Sequence, residues 1–296
     1  MNCEPFYYSG LSDCDALFKD VVGVMIMDKG ATLSAPAALA TYTGIFAVDN
    51  PTGMFAPISR GYQNNTAEPE RNTSAVGFTE KTSDPLPMLV GFLNKSYCDY
   101  KTLYGLDGKE KDVVLFLKNG KVWHSVNSAG AAIGFRAKIS IRKNAPGADN
   151  SVENFPIYMD FMYIEDLDNA KLTTLAFSVK ELNDSVPVGL NMAVAVAYAA
   201  GVVTVDINKR CSLTPYAGIT VAADFDVLYT ESGSTDLDVD VTAVDITSAA
   251  IGRYVLTIKK DAGTVPANLT KGVYIRAKKL AATVLTYISD PIFIKV

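Results

Sequence analysis

The chain has 296 residues, of which 49% are hydrophobic and 20% charged, and this composition excludes a mostly disordered protein. Its net charge of −5 argues against nucleic acid as the main partner, because an acidic chain releases no counterions from phosphates. The single histidine, His124, excludes a two-histidine metal site or a relay of histidines within one chain.

The first predicted elements are a strand, a turn and a helix. The apolar run 21–27 predicts a core strand, and residues 28–30 (Asp-Lys-Gly) predict the turn that ends it. Residues 34–41 predict the clearest helix of the chain. Ser34 is its expected N-cap, and Pro36 fits the first turn because the N–H that it lacks has no partner there.

A long polar segment follows at residues 61–74, without any apolar period. A loop of this length in a compact domain is uncommon and is usually either functional or disordered. Two interpretations stay open, namely a solvated loop and an arm that orders only against a neighbouring subunit.

Strands dominate the rest of the first half. Residues 112–118 and 121–126 flank Asn119-Gly120, which predicts a hairpin with a type I′ turn because both residues accept positive φ angles. Alternating or apolar runs predict three more strands, at 135–142, 156–164 and 172–179.

The cluster of turn residues at 183–187 predicts a boundary between a domain at 1–184 and one at 185–296. The uncharged stretch 185–205 alternates Met, Val and Tyr with Ala and contains Pro187, so it predicts a buried strand and not a transmembrane helix. Seven strands in about 110 residues are typical of an immunoglobulin-like sandwich. They are predicted at 192–198, 202–207, 219–229, 237–244, 253–259, 273–279 and 291–295.

Two acidic groups are candidate sites. On a strand, Asp236, Asp238 and Asp240 face one side, which indicates either a cation site or a solvated or subunit-facing surface. The glycine and glutamate of an EF-hand are absent from this segment, which favours a solvated or subunit-facing surface over a cation site. The run 165–168 (Glu-Asp-Leu-Asp) contains paired carboxylates of the kind used in glycoside hydrolysis, but such residues also form ordinary turns.

Other motifs indicate structure and not catalysis. The sequence contains no Gly-x-Ser-x-Gly motif, so His124 has no recognisable serine nucleophile for which it could act as the base. The fragment 105–109 has the wrong spacing for a phosphate-binding loop. The basic run 276–279 is interpreted as a solvated strand edge. We therefore predict no catalytic, cofactor-binding or metal-ligating residues, and no cofactor.

The N-terminus shows no basic segment followed by an apolar run, so no signal peptide is predicted. The cysteines are scattered and form no Cys-x-x-Cys pair, which indicates reduced thiols and an intracellular origin. They are Cys3, Cys14, Cys98 and Cys211.

Residues 28–36, the Asn119-Gly120 hairpin and the strand-rich run to Val179 resemble tail-tube and neck-ring proteins of tailed bacteriophages, especially the crAss-like group that infects Bacteroides. Residues 217–225, together with Gly252-x-Tyr254, are similar to immunoglobulin-like modules of phage and bacterial surface proteins. The resemblance covers most of the chain. It implies a mainly β fold, with a tail-tube-like sandwich or barrel carrying a short helix, then an immunoglobulin-like sandwich.

The resemblance also implies a non-enzymatic virion protein that forms a ring in the tail, neck or head-associated assembly. Its partners would be copies of itself and neighbouring virion proteins, with no membrane and no sequence-specific nucleic acid. It would assemble in the cytoplasm of the host bacterium and reside in the virion. The alternatives are a carbohydrate-binding adhesin or fibre subunit and, from another class, a glycosidase. The even spread of the aromatic residues along the chain favours assembly over sugar binding.

Overall fold

The fold is mainly β, as predicted. The chain divides into two compact units, Met1–Val186 and Pro187–Val296, and this division lies two residues after the predicted one. The computed structural model describes residues 21–48, 51–58, 61–73, 79–83, 85–93, 103–142, 155–210, 212, 214–230, 239–260, 269, 272–281 and 284–295.

The described residues of the first unit form thirteen strands and three short helices. The helices are α1 (Leu39–Phe46), α2 (Ile164–Asp168) and α3 (Val179–Asp184). The strands are β1 (Val21–Met27), β2 (Thr32–Leu33), β3 (Gly53–Pro57), β4 (Tyr62–Asn64), β5 (Glu70–Thr73), β6 (Thr79–Ser83), β7 (Met88–Leu93), β8 (Glu110–Leu117), β9 (Lys121–Val126), β10 (Ala132–Ile133), β11 (Phe135–Ile141), β12 (Phe155–Phe161) and β13 (Lys171–Thr174).

Eleven of these strands form one sheet, in the order β2-β10-β9-β8-β11-β12-β7-β4, with β1, β3 and β13 paired beside this path. Strand β8 lies at its centre. It pairs with β1 along one edge, and with β11 and then β9 along the other. Its last six residues, Asp112–Leu117, are buried because strands cover both of its edges and the core covers its faces. Strands β5 and β6 form a separate two-stranded sheet.

The core of the first unit follows the predicted alternation. Along β11, Phe135, Ala137, Ile139 and Ile141 are buried, while the residues between them are more exposed. The ring of Trp123 on β9 lies 4.4 Å from the ring of Phe135, measured between centroids. Both rings also contact Phe161 on β12.

The helix predicted at residues 34–41 starts later than expected. Helix α1 begins at Leu39 after Ala38, and no side chain caps it, so the assignment of Ser34 as N-cap was wrong. The backbone turns first instead, because the N–H of Ala38 donates to the carbonyl of Ala35 over 2.9 Å. The hydroxyl of Tyr42 then donates to the carbonyl of Pro36 over 2.7 Å and holds this turn against the helix.

The Asn119-Gly120 hairpin forms, but its turn is not type I′. Leu117 of β8 is opposite Lys121 of β9, so residues 118–120 make a three-residue loop. Gly120 has a φ of 74°, whereas no positive φ occurs at Asn119. A three-residue loop that ends in a left-handed glycine is the next most common hairpin after the two-residue turns.

The predicted strand at 172–179 is shorter, since β13 ends at Thr174. The chain then enters α3, a helix that the sequence analysis missed. The Ser178 side chain accepts the N–H of Glu181, and the Glu181 carboxylate accepts the N–H of Ser178. This capping box was visible in the sequence as Ser-x-x-Glu.

The second unit contains eight described strands. They are β14 (Val188–Ala199), β15 (Val202–Lys209), β16 (Phe225–Thr230), β17 (Val239–Asp245), β18 (Arg253–Lys260), β19 (Val273–Ala281), β20 (Val284–Ser289) and β21 (Ile292–Ile294). Their order is β16-β19-β20-β14-β15-β18-β17, with β21 also paired to β19. All the pairs are antiparallel except β14 with β20. Strand β20 was not predicted, and residues 222–224 form a short 3₁₀ turn where a strand was expected.

All eight strands contribute side chains to one hydrophobic core, which explains the alternating pattern of the second half of the sequence. Tyr254 on β18 is fully buried in this core, and its hydroxyl donates to the carbonyl of Tyr216 over 2.6 Å. In immunoglobulin domains a conserved corner tyrosine lies on the sixth strand and bonds to the backbone a few residues upstream. Tyr254 lies on the fifth strand and bonds 38 residues upstream.

Candidate functional site

A pocket of about 430 Å³ lies in the first unit, beside the start of β8 and β11. The turn after β1, the ends of β9 and β10, and helix α2 complete its wall. Its lining is formed by Lys29, Gly30, Thr32, Asp112, Val126, Asn127, Ser128, Ile133, Arg136, Glu165, Asp166 and Asn169.

Asp112 is the buried acid of this pocket. On β8 it lies between Met27 of β1 and Arg136 of β11, and it is 3% exposed. Its Oδ2 accepts the backbone N–H of Gly30 over 2.8 Å, while its buried Oδ1 has no hydrogen-bond partner among the described residues. Burial raises the pKa of this carboxyl group, which the bond from Gly30 opposes.

Arg136 and Asp166 form a bidentate ion pair in the wall of the pocket. The guanidinium donates from Nε to Oδ2 over 2.9 Å and from Nη2 to Oδ1 over 2.7 Å, and the Arg136 backbone N–H also donates to Oδ2 over 2.9 Å. The guanidinium lies 3.7 Å from the centre of the Tyr163 ring. The hydrogen bonds to Asp166 raise the pKa of Arg136. This pair fixes α2 to β11.

The acidic run 165–168 is therefore divided by the structure. Glu165 and Asp166 both line the pocket, whereas Asp168 does not. Because its oxygens are occupied by Arg136, Asp166 serves as an anchor and is poorly suited to proton transfer. The sequence analysis missed Arg136 and Asp112. The only feature of the sequence that could have indicated Asp112 as a candidate is its charged side chain at the start of the apolar run 112–118.

His124 on β9 is 2% exposed and both of its ring nitrogens have partners. Nδ1 lies 2.8 Å from the carbonyl oxygen of Ser125, which can only accept, so Nδ1 carries the proton. Nε2 then accepts the hydroxyl proton of Thr173 on β13 over 2.9 Å. Burial lowers the pKa of His124. The side chain therefore links β9 to β13.

The glycine-containing fragment 105–109 forms a tight turn. Residues 104–106 make a 3₁₀ turn, and Gly108 follows with a φ of 73°. Its N–H donates to the carbonyl of Ile139 on β11, so this N–H is not available to a phosphate. The Asp107 carboxylate accepts the N–H of Ile141 over 2.9 Å.

The second unit contains the two remaining charged segments of the sequence analysis, residues 236–240 and 276–279. Asp240 is exposed on β17 opposite Lys259 of β18, with Val239 and Val241 buried; Asp236 and Asp238 lie outside the described residues. The basic run 276–279 is not a solvated edge, because Arg276 pairs with Asp226 of β16, and Lys278 and Lys279 pair with residues 288 and 287 of β20. It is an internal ion-pair site: Arg276 and Lys278 contact Asp226, and Lys279 lies 3.6 Å from Asp224.

The polar segment 61–74 is more ordered than a loop, up to Thr73, beyond which Ser74 lies outside the described residues. Strand β4 pairs with β7, and the hydroxyl of Thr66 accepts the N–H of Met88 at the base of the segment. Beyond this base the chain continues as β5 and pairs with β6, and all four residues of β5 are exposed. We call residues 70–73 and 79–83 the polar hairpin.

A second unusual surface is the outer edge of β14. One edge of β14 pairs with β15 from Leu190 to Ala199, but β20 pairs with the other edge only at Val188–Leu190. Residues 193–197 are exposed in succession, with Val194 at 42% and Val196 at 58%. In the part of the chain that is described, residues 191–199 therefore present an unpaired apolar edge, which we call the β14 edge.

No family model matches the chain, and no curated protein matches it. Within the described residues, no group of three or more His, Cys, Asp or Glu side chains is placed to hold a metal ion. None of the described helices is long and apolar enough to cross a membrane.

Proposed function

We propose that this chain is a non-enzymatic structural subunit of a tailed-bacteriophage virion, which assembles with copies of itself in a ring of the tail, neck or head-associated region. The observation that carries the proposal is the polar hairpin. A two-stranded hairpin is at best marginally stable alone in water, and among the described strands this one has no partner in the eleven-stranded sheet. A neighbouring subunit would supply the missing contact.

The polar composition of the hairpin fits such a contact. All four residues of β5 are exposed, and they include the charged Arg71 and the amide side chain of Asn72. In a ring, one surface pair is repeated head to tail around a closed axis, so each subunit can place the same projection on the next one. Ion pairs and hydrogen bonds at such a contact select the correct neighbour and register.

The second unit supports a modular virion protein. Its sheet order gives β14-β15-β18-β17 on one side and β16-β19 with β20 and β21 on the other. Apart from the short β14-β20 pairing that joins the two sides, this order is similar to the ABED and CFG sheets of immunoglobulin domains. We therefore propose an immunoglobulin-like fold for residues 187–296, without the Cys-Trp-Cys framework and without the corner tyrosine.

The pocket and the aromatic residues favour assembly over the alternatives. Asp166 and Arg136 are bonded to each other and His124 is bonded through both nitrogens, so these groups serve packing. Sugar-binding surfaces usually expose aromatic rings. Among the described residues the most exposed large apolar side chains are aliphatic or Met, for example Ile251 at 63%.

The test is removal of the hairpin. Replacing residues 67–85 by a short Gly-Ser linker keeps the pairing of β4 with β7, so we expect the first unit to fold, with unchanged fluorescence of the single tryptophan, Trp123. We expect the variant to stay out of rings and particles, as measured by light scattering and by its particle-bound fraction in phage lysates.

A point variant and a control sharpen the experiment. Arg71→Glu on the hairpin should reduce incorporation, whereas Lys138→Glu, an equal charge change at an exposed position of β11, should not. Normal incorporation of the folded deletion variant would show that the hairpin is only a surface loop and would remove the basis of the proposal.

A further inference from the structure

The β14 edge departs from the way in which proteins protect exposed strands. Natural edge strands are short, or carry lysine, proline or inward-pointing charges, or are twisted away by bulges. Residues 191–199 contain no charged residue and no proline. Of these devices β14 carries only the bulge, with register shifts after Val194 and after Val196 in its pairing with β15.

The length of this edge is sufficient for a specific contact. At about 3.4 Å per residue, the nine residues 191–199 extend over roughly 30 Å. Their outward N–H and C=O groups form a template for another strand, and main-chain hydrogen bonds supply affinity in such β-augmentation. Val194 is opposite Val205 and Val196 is opposite Thr204, so the bulge places these exposed valines on opposite faces of the sheet. Both add apolar area beside the edge, and Ala193, Ala195 and Ala197 allow close approach.

The chemistry of the edge specifies its partner. A strand with charged side chains would lose their hydration beside exposed valines, so the partner strand must be uncharged. This chain contains such a strand in β14 itself, within the 21-residue uncharged stretch 185–205. Two antiparallel copies of β14 bring identical small and β-branched residues together across a two-fold axis, without any pairing of like charges.

We propose that the β14 edge pairs antiparallel with the β14 edge of a second copy of this chain, joining the two β14-β15-β18-β17 sheets into one. The inference rests on the proposed function only in taking assembly as the role of the chain. Because a two-fold contact joins subunits two at a time, it is separate from the head-to-tail contact that closes a ring.

The test measures self-association of the full chain by analytical ultracentrifugation. We expect Val196→Lys to raise the dissociation constant of the dimer at least tenfold. The matched control is Val202→Lys. Val202 is also an exposed valine, but it lies on β15, which pairs with β14 on one edge and with β18 on the other. A monomeric wild-type chain, or equal effects of the two variants, would overturn the proposal.

Cysteine scanning identifies the partner. Single cysteines at positions 193–197 should give disulfide-linked dimers above the wild-type background, with the highest yield nearest the two-fold axis; Val202→Cys should not. Loss of particle incorporation in Val196→Lys without any self-cross-linking would mean that another virion protein occupies the edge, which contradicts the proposal. The polar hairpin belongs to the first unit, so the chain without this hairpin should still form the β14 dimer. Failure of the ring proposal can therefore be distinguished from failure of the dimer proposal.

Discussion

The backbone N–H of Gly30 donates a hydrogen bond to Oδ2 of Asp112 over 2.8 Å, which joins the turn after β1 to the centre of the sheet across 82 residues of sequence. Two ion pairs flank this bond, from Lys29 to Glu110 and from Lys111 to Asp28. These pairs are partly or largely exposed and contribute little each. The turn is held more firmly by two other bonds, the part-buried bond to Asp112 and the bond from the N–H of Asp28 to the carbonyl of Thr52 over 2.7 Å.

We expect Asp112 to make stability fall as the pH rises. Burial raises its pKa above the ordinary 3.8, so the folded chain binds this proton more tightly than the unfolded chain. Its contribution is complete below the unfolded pKa and is lost as the pH rises through the folded pKa. In urea unfolding from about pH 4 to about pH 7, Asp112→Asn should gain stability relative to wild type as the pH increases. A difference that does not vary with pH would contradict this assignment.

His124 should have the opposite effect. Burial lowers its pKa below 6.5, so the unfolded chain binds the proton more tightly, and the contribution of the neutral side chain is lost as the pH falls through the folded pKa. Because it is the only histidine, its ring proton resonances can be followed by NMR without assignment. We expect a midpoint below 6.5, and a smaller acid-side loss of stability in His124→Gln. A midpoint at or above 6.5 would show that the imidazole is exposed.

Arg136→Ala should destabilise the first unit by about 1.5–3 kcal/mol, because it leaves the buried Asp166 carboxylate without its bidentate partner. The control is Lys180→Ala, which removes the exposed pair between Lys180 and Asp184 on α3 and should cost no more than about 0.5 kcal/mol. Urea unfolding followed by Trp123 fluorescence measures both. Similar costs for the two variants would mean that the Arg136 pair is solvated.

Gly120→Ala should destabilise the first unit by about 1–2 kcal/mol, because the glycine has a φ of 74° that disfavours a side chain. Gly105→Ala is a suitable control. Neither position has a neighbouring atom within 4 Å of the added Cβ, but Gly105 has no positive φ. Thermal unfolding of both variants separates backbone strain from packing. Equal losses would exclude strain at Gly120 as the cause.

Local patterns in the sequence predicted most of the strands. The alternation is confirmed along β11 and in the first part of β17, where Val239 and Val241 are buried and Asp240 is exposed between them. A period of two depends only on the geometry of an extended chain, so it can be recognised without knowing the partner strand. The capping box of Ser178 and Glu181 is also a local signal, and it would have predicted α3.

Features that depend on the pairing of strands could not be predicted from local sequence patterns. Asn119-Gly120 predicted a hairpin, but the pairing of Leu117 with Lys121 decided the length of its loop. Asp112 gave almost no signal in the sequence, since its burial and its bond to Gly30 arise only when β8 is enclosed by β1, β9 and β11.

The sequence by itself determined the mainly β character, the alternating faces and the turn cluster near the boundary between the units. Only the tertiary structure decided which strands are central and which are edges. The basic run 276–279 looked like a protected edge but lies on a paired strand, whereas the uncharged stretch 185–205 looked buried but contains the exposed β14 edge. The physical reason is that strand order results from hydrogen bonds between residues far apart in the chain, and side-chain alternation is the same whether or not an edge is paired.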